Sequence, residues 1–148
     1  MTWVLDASVA VRWFLIEEAD GTADSVLEAV IGHPELFAVP ELFSFEVFAV
    51  LCRLHPKGAS IFRDGALPLL AGGILRTPMT ESLALQAEPF LLQGLTGYDA
   101  CYAALARDLG GFWLTYDRKA HHRIRRQGIS HLLSEGLPQS WPGHSDGQ

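Results

Sequence analysis

Thr96-Gly97-Tyr98-Asp99-Ala100-Cys101-Tyr102-Ala103-Ala104-Leu105-Ala106-Arg107-Asp108-Leu109-Gly110-Gly111-Phe112-Trp113-Leu114-Thr115-Tyr116-Asp117 reads as one helix–strand unit. An Ala-rich run starts at Asp99 and stops at Gly110-Gly111, as a helix and its termination signal do. A short apolar strand after the Gly pair then delivers Asp117 at its carboxyl end. In an open sheet of alternating strands and helices, ligands gather outside the carboxyl ends of the strands. Asp99 and Asp117 therefore flank the unit, with Asp117 at the end where chemistry collects.

Working outward, the same alternation recurs. Thr2 to Asp6 is a short apolar strand that ends on an acid, and Ser8 offers an N-cap for a helix through Val9, Val11, Trp13 and Ile16. Thr22 offers a cap for a helix over residues 23–31, and Leu36 to Val39 is a second strand. Pro40 and Glu41 suit the first turn of a helix that carries Glu46. Residues 61–70 form a less regular helical region around Pro68, and Ile74 to Arg76 is a third strand candidate. Thr80 and Glu81 open another helix, which Pro89 bends or breaks. After Asp117 comes a basic helix to Gln127 and a last apolar piece, Ile129 to Leu133. The expected fold is a single α/β domain over residues 1–133, with a mainly parallel central sheet of four to five short strands flanked by helices. Residues 134–148, rich in Gly, Pro and Ser, are expected to be a flexible tail.

Composition narrows the function classes. The chain has 148 residues, enough for one core, and no apolar run reaches the roughly 18 residues of a membrane span. Its start has no basic leader, so the expected location is the cytoplasm, with no membrane partner. Cys52 and Cys101 stand in apolar helical runs and read as small buried hydrophobes. A net charge of −6 argues against a general nucleic-acid-coating protein. Yet five of the eleven Lys and Arg residues, Arg118, Lys119, Arg123, Arg125 and Arg126, follow Asp117 directly. A solvated helix face accounts for them; so does contact with phosphates.

Four acids stand out by context: Asp6 and Asp117 at strand ends, Asp99 at a helix start, and Glu46 beside an apolar helical stripe. Each has a structural reading. Asp99 can cap its helix, Asp6 and Asp117 can sit in Asx turns, and Glu46 can pair with a buried cation such as Arg12. Gathered at one face, four carboxylates would repel one another unless a cation neutralised them. A hard divalent ion, Mg²⁺ or Mn²⁺, with oxygen ligands answers that requirement.

Leu5-Asp6-Ala7-Ser8-Val9-Ala10-Val11, Pro40-Glu41-Leu42 with Glu46-Val47, Tyr98-Asp99-Ala100-Cys101-Tyr102-Ala103-Ala104-Leu105-Ala106 and Leu114-Thr115-Tyr116-Asp117 resemble, in order and spacing, the PIN domain. The likeness is specifically to VapC-type toxin ribonucleases of bacterial toxin–antitoxin pairs, and it runs from about residue 3 to residue 130. It implies that Asp6, Glu46, Asp99 and Asp117 are the acidic quartet of the site, with Ser8 and Thr115 as accessory polar groups. It also implies an Mg²⁺- or Mn²⁺-dependent endoribonuclease, an RNA substrate, a homodimer and an antitoxin partner. In the implied chemistry Asp6, Asp99 and Asp117 hold one ion, while Glu46 orients it or binds a second. Hydrolysis then leaves 5′-phosphate and 3′-hydroxyl ends. Ala49 is a departure, because the family often has Asn three residues after the helix acid. That difference leaves open a catalytically weak module acting through protein or RNA binding.

Other chemistries fit less well. A haloacid-dehalogenase-like phosphoryl-aspartate site wants a second Asp where Ser8 stands, and a receiver domain wants a late Lys that neither Lys57 nor Lys119 supplies. No Gly-x-x-x-x-Gly-Lys-Ser/Thr loop is present. His121-His122 lacks the i, i+4 spacing of a helical zinc pair.

Overall fold

The computed structural model describes residues 1–142. Strands β1 (Trp3–Leu5), β2 (Phe37–Pro40), β3 (Leu75–Thr77), β4 (Phe112–Thr115) and β5 (Ser130–Leu132) form one sheet. Their spatial order is β3-β2-β1-β4-β5, and every pairing is parallel. Parallel strands need crossover connections, and helices supply them. These are α1 (Ala7–Phe14), α2 (Gly21–Gly32), α3 (Leu42–Leu54), α4 (Gly58–Ile61), α5 (Leu67–Leu70), α6 (Glu81–Leu92), α7 (Gly97–Asp108) and α8 (Arg118–Ile124). A π turn, Phe62–Ala66, joins α4 to α5 in the region whose pattern was irregular.

The β1 and β4 interiors are buried, as strands covered on both faces should be: Trp3, Val4, Leu5, Trp113, Leu114 and Thr115 are all in the core. Helix α7 lies against β1, β2 and β4. Residues 100–106 are all buried, and the small side chains among them, Ala100, Ala103, Ala104 and Ala106, let that helix approach the sheet closely. From β1 the chain proceeds laterally to β2 and β3, whereas β4 and β5 lie on β1's other side. The junction of β1 and β4 is therefore the topological switch point of the sheet, where a crevice opens at the carboxyl ends.

Several local expectations are corrected. Helix α1 is capped by Asp6 and not by Ser8: the Asp6 side chain accepts from the Ser8 N–H at 3.0 Å. Helix α2 starts earlier than expected because Asp20, not Thr22, supplies its cap, accepting from Ala23 N–H at 3.3 Å. In both cases a carboxylate one or two residues upstream reaches an orphan N–H first. Pro40 closes β2 opposite Thr77 instead of opening a helix, and α3 begins at Leu42. Pro89 does not end α6, which continues to Leu92. Leu83, Ala87 and Phe90 of α6 are buried, and packing against α7 offsets the one backbone bond that proline removes. Cys101 is buried, but Cys52 is exposed, since it falls on the outer side of α3.

The stretch expected to be a flexible tail is anchored to the core at Trp141. Trp141 is only 5% exposed, with its ring centroid 5.0 Å from Trp3 and 6.0 Å from Phe37. Large apolar area removed from water holds this segment to the sheet. Residues 143–148 of that expected tail lie outside the described residues.

The turn before β4 has a demanding geometry. Gly110 adopts φ 65°, in the left-handed region, and a Cβ on Gly111 would stand 1.8 Å from the Thr2 carbonyl oxygen. That same oxygen accepts from the Phe112 N–H at 3.1 Å and opens the β1–β4 ladder. Gly111→Ala should therefore destabilise the protein by about 3 kcal/mol. Gly21→Ala, where nothing lies within 4 Å, should change stability by less than about 1 kcal/mol. Urea unfolding of both variants checks the contrast, and equal midpoints would show that the β1–β4 approach tolerates a methyl group.

Candidate active site

The site is built from the switch point outward. Asp6 follows β1, and its N–H donates to the Leu114 carbonyl at 3.1 Å, extending the ladder one step past the strand. Its carboxylate is buried and takes two donors: the Ser8 N–H on Oδ2, and the Trp113 indole N–H on Oδ1 at 3.3 Å. A buried carboxylate needs such donors, since leaving it unpartnered would cost several kcal/mol. Burial nonetheless pushes the Asp6 carboxyl above its ordinary range; the hydrogen bonds from Ser8 and Trp113 pull against that, and Asp117 adds to it.

Asp6, Ser8, Glu46, Asp99 and Asp117 line one cleft of about 330 Å³, together with Arg12, Glu18 and Val50. Glu46, half-buried on α3, accepts from the Tyr102 hydroxyl at 2.7 Å. Burial raises the Glu46 carboxyl, the Tyr102 hydrogen bond opposes, and Asp6 and Asp99 raise it further. The expected alternative partner, Arg12, is not bonded to Glu46. Asp99 is free of capping duty because Thr96 caps α7, its hydroxyl accepting from the Asp99 N–H at 3.2 Å. Burial, then Asp6 and Asp117, push the Asp99 carboxyl up to about 6. Asp117 is exposed and caps α8 through the Ala120 N–H at 2.9 Å.

The acids thus share a cleft and feel one another, but they are not drawn into a tight cage. Among the described residues no three His, Cys, Asp or Glu side chains are grouped as a ready-made ion-binding set. The acids keep an open arrangement around the cleft. Its reason is local: Asp6, Glu46 and Asp117 each take a nearby hydrogen-bond donor, and like charges do not close up unaided.

Ser8 and Thr115 brace the backbone. The Ser8 hydroxyl accepts from the Tyr116 N–H at 3.2 Å, and the buried Thr115 hydroxyl accepts from the Asp117 N–H at 3.0 Å. Both fix the turn that carries Asp117. The basic run after Asp117 does not line the cleft. Arg123 donates to the Gly94 carbonyl and Arg118 contacts Ser134, while Lys119, Arg125 and Arg126 are exposed. His121 is tied to Ser130 at 2.7 Å.

Trp113 and Tyr102 had no role in the sequence reading of the site, and Arg12 entered it only as a structural partner for Glu46. Trp113 and Tyr102 stack with ring centroids 5.8 Å apart at 7°, and each donates to a different acid. Tyr102 lies three residues after Asp99, on the same helical face, a spacing that could have drawn notice. Trp113 carried no signal beyond being a strand aromatic. Arg12, four residues after Ser8, lines the cleft itself.

A family model described as PIN domain matches residues 3–127. Among solved structures, FitAcB from Neisseria gonorrhoeae is similar with a TM-score of 0.70 at 17% identity, over 92% of this chain and 100% of that one. VapC20 of Mycobacterium tuberculosis, described as a sarcin-ricin loop cleaving toxin, gives a TM-score of 0.65 at 20% identity, over 82% and 94%. FitAB bound to an IR36 DNA fragment gives 0.64 at 18% identity, over 84% and 91%. At these identities the likeness is one of fold. No curated protein matches the chain.

The raised carboxyls make a sign-specific prediction. Between the ordinary aspartate pKa, 3.8, and about 6, the folded protein holds a proton on Asp99 that the unfolded chain has released. This group's contribution is thus fully present below pH 3.8 and is lost as pH rises through about 6. In EDTA at pH 7, Asp99→Asn should melt roughly 2–4 °C above the parent, about 1 kcal/mol after allowing for solvent screening. The gap should shrink at pH 4. Thermal melts at the two pH values check this; a variant less stable than its parent at pH 7 would contradict it.

Proposed function

The chain belongs to the PIN domain family, and on that premise we propose that it is a divalent-metal-dependent endoribonuclease, the toxin of a toxin–antitoxin pair. PIN domains are generally nucleases. The observation that carries the reading is the acidic cleft at the β1–β4 switch point, where Asp6, Glu46, Asp99 and Asp117 meet. VapC20, a toxin that cleaves the sarcin-ricin loop, supports RNA as the substrate class.

The residues fit a hard divalent ion. All four donors are carboxylates, and three of them are held above their ordinary range by burial and by each other. Mg²⁺ commonly binds through one or two carboxylates and keeps several waters, so a tight all-protein cage is not required. The cleft, about 330 Å³, has room for a hydrated ion and a phosphate group. Asp6, Asp99 and Asp117 would hold the ion, with Glu46 beside it. When bound, Mg²⁺ or Mn²⁺ supplies Lewis-acid polarisation of the phosphodiester and neutralises charge that develops on its oxygens.

The protein's own part is positioning. Trp113 and the Ser8 N–H fix the Asp6 carboxylate, Tyr102 fixes Glu46, and Thr115 sets the backbone of Asp117. Ala49 is exposed, and Glu46 is oriented from α7 by Tyr102. Ionised Asp99 is the form that attracts a cation, so activity should rise with pH through about 6.

A partner surface adjoins the cleft. Leu42, Phe45, Phe48, Ala49 and Tyr98 line an apolar groove that shares Glu46 with the acidic site. Phe45 is 73% exposed and Tyr98 63%. Exposed aromatics grouped in this way support docking of an antitoxin or of a second copy of the chain.

Cleavage of RNA by the purified chain, free of antitoxin, should require Mg²⁺ or Mn²⁺ and stop in EDTA. Asp99→Asn should lower the rate by about 100-fold or more. Cleavage that survives EDTA, or an Asp99→Asn protein as active as its parent, would overturn the metal-nuclease reading. Tyr102→Phe keeps the ring stack and removes only the donor to Glu46. It should reduce metal affinity or rate by about 10-fold, read by Mn²⁺ titration alongside cleavage kinetics; unchanged values in both would show that Tyr102 does not orient Glu46.

A further inference from the structure

We propose that Arg12 is the residue that grips the RNA backbone at the acidic cleft, its guanidinium donating to the non-bridging oxygens of a phosphodiester. This rests on the nuclease reading above and names the group that receives the substrate.

Arg12 lines the cleft with the acids, whereas none of the basic residues after Asp117 does. Its side chain is held in place without a carboxylate. One terminal nitrogen donates to the Ser8 carbonyl at 2.8 Å, and the guanidinium carbon lies 3.8 Å over the Tyr116 ring. The ring is braced in turn, because the Tyr116 hydroxyl bonds to Asp20, the residue that caps α2. Among the described residues, the ion pairs join His33 to Glu35, Arg63 to Asp64 and Arg76 to Glu41, and none involves Arg12. Nor does Arg12 figure among the causes that shift Asp6, Glu46 or Asp99, which are burial, neighbouring acids and local hydrogen bonds.

Arg12 is thus not the counter-ion of the acidic cluster. It is a preorganised cation beside that cluster, with most of its five N–H donors outside the single bond to Ser8. A planar guanidinium presents two parallel donors that match two phosphate oxygens, a geometry an ammonium cannot reproduce. Such a group also answers an electrostatic difficulty. RNA approaching four acids on a chain of net charge −6 is repelled, and a fixed cation at the cleft wall is where its phosphate would be received.

The test uses the full chain with a short fluorescent single-stranded RNA and Mn²⁺. Arg12→Gln should lower kcat/KM by about 100-fold, and Arg12→Lys should recover part of it by keeping the charge while losing the fork. The slope of log kcat/KM against log salt should shrink by about one phosphate contact. Mn²⁺ affinity, from titration without RNA, should stay within about twofold, and circular dichroism should match the parent. Arg12→Gln cleaving like the parent would overturn the proposal; so would a loss of activity matched by an equal loss of Mn²⁺ affinity. If the parent itself does not cleave RNA, the nuclease reading fails separately. RNA anisotropy then judges Arg12: weaker, less salt-sensitive binding by Arg12→Gln supports the phosphate contact, and unchanged binding refutes it.

Discussion

Parallel pairing of β1 with β4 is the constraint on which everything else depends. The ladder runs from the Thr2 carbonyl and the Phe112 N–H through to the Asp6 N–H and the Leu114 carbonyl. Because these neighbours belong to opposite lateral directions of the sheet, helices diverge from their ends and leave a crevice. Asp6 and Asp117 border that crevice because Asp6 directly follows β1 and Asp117 stands two residues past the end of β4. A slip of one residue would turn Trp113 and Leu114 to the wrong faces and aim the indole N–H away from Asp6. Gly111 is the small residue that lets the two chains meet at the other end of the ladder.

Burying carboxylates is costly, and the molecule offsets the cost with aromatic donors. Trp113 on β4 and Tyr102 on α7 form a stacked pair, rigid because both are fully buried, and their polar edges reach Asp6 and Glu46. Four elements, β1, α3, α7 and β4, are thereby locked around two acids. The donors moderate the upward shifts of the carboxyls and do not abolish them. The result is a cleft in which the charged forms of Asp6, Glu46 and Asp99 are disfavoured by burial and by one another.

The two ends of the sheet are treated differently. At the amino-terminal end, Trp141 covers Trp3 and Phe37, the first residues of β1 and β2, and seals the core. At the carboxyl end the acids and Arg12 line an open cleft, and the apolar groove around Phe45 lies beside it. The packed aromatic cluster and the acidic cleft thus lie at opposite ends of the strands, the cleft at the end where open α/β sheets collect ligands.

The alternation of elements, the parallel sheet and the four acids were legible in the amino-acid sequence, because hydrophobic periodicity and the position of acids at strand and helix ends are local properties. Helix caps were less legible: Asp6 and Ser8, or Asp20 and Thr22, are all recognised caps by residue type, and the backbone path selects between them. Pro89 and Trp141 show the same limit, since tertiary packing overrides a local breaker in one and anchors a Gly- and Pro-rich segment in the other. The partners of the acids were beyond reach. Glu46 meets Tyr102 across fifty-six positions and Asp6 meets Trp113 across one hundred and seven. The sequence alone therefore determined which residues carry charge and which elements bear them. Only the tertiary structure decided how those charges are held, because hydrogen bonds between distant elements depend on strand order and register, which no local pattern encodes.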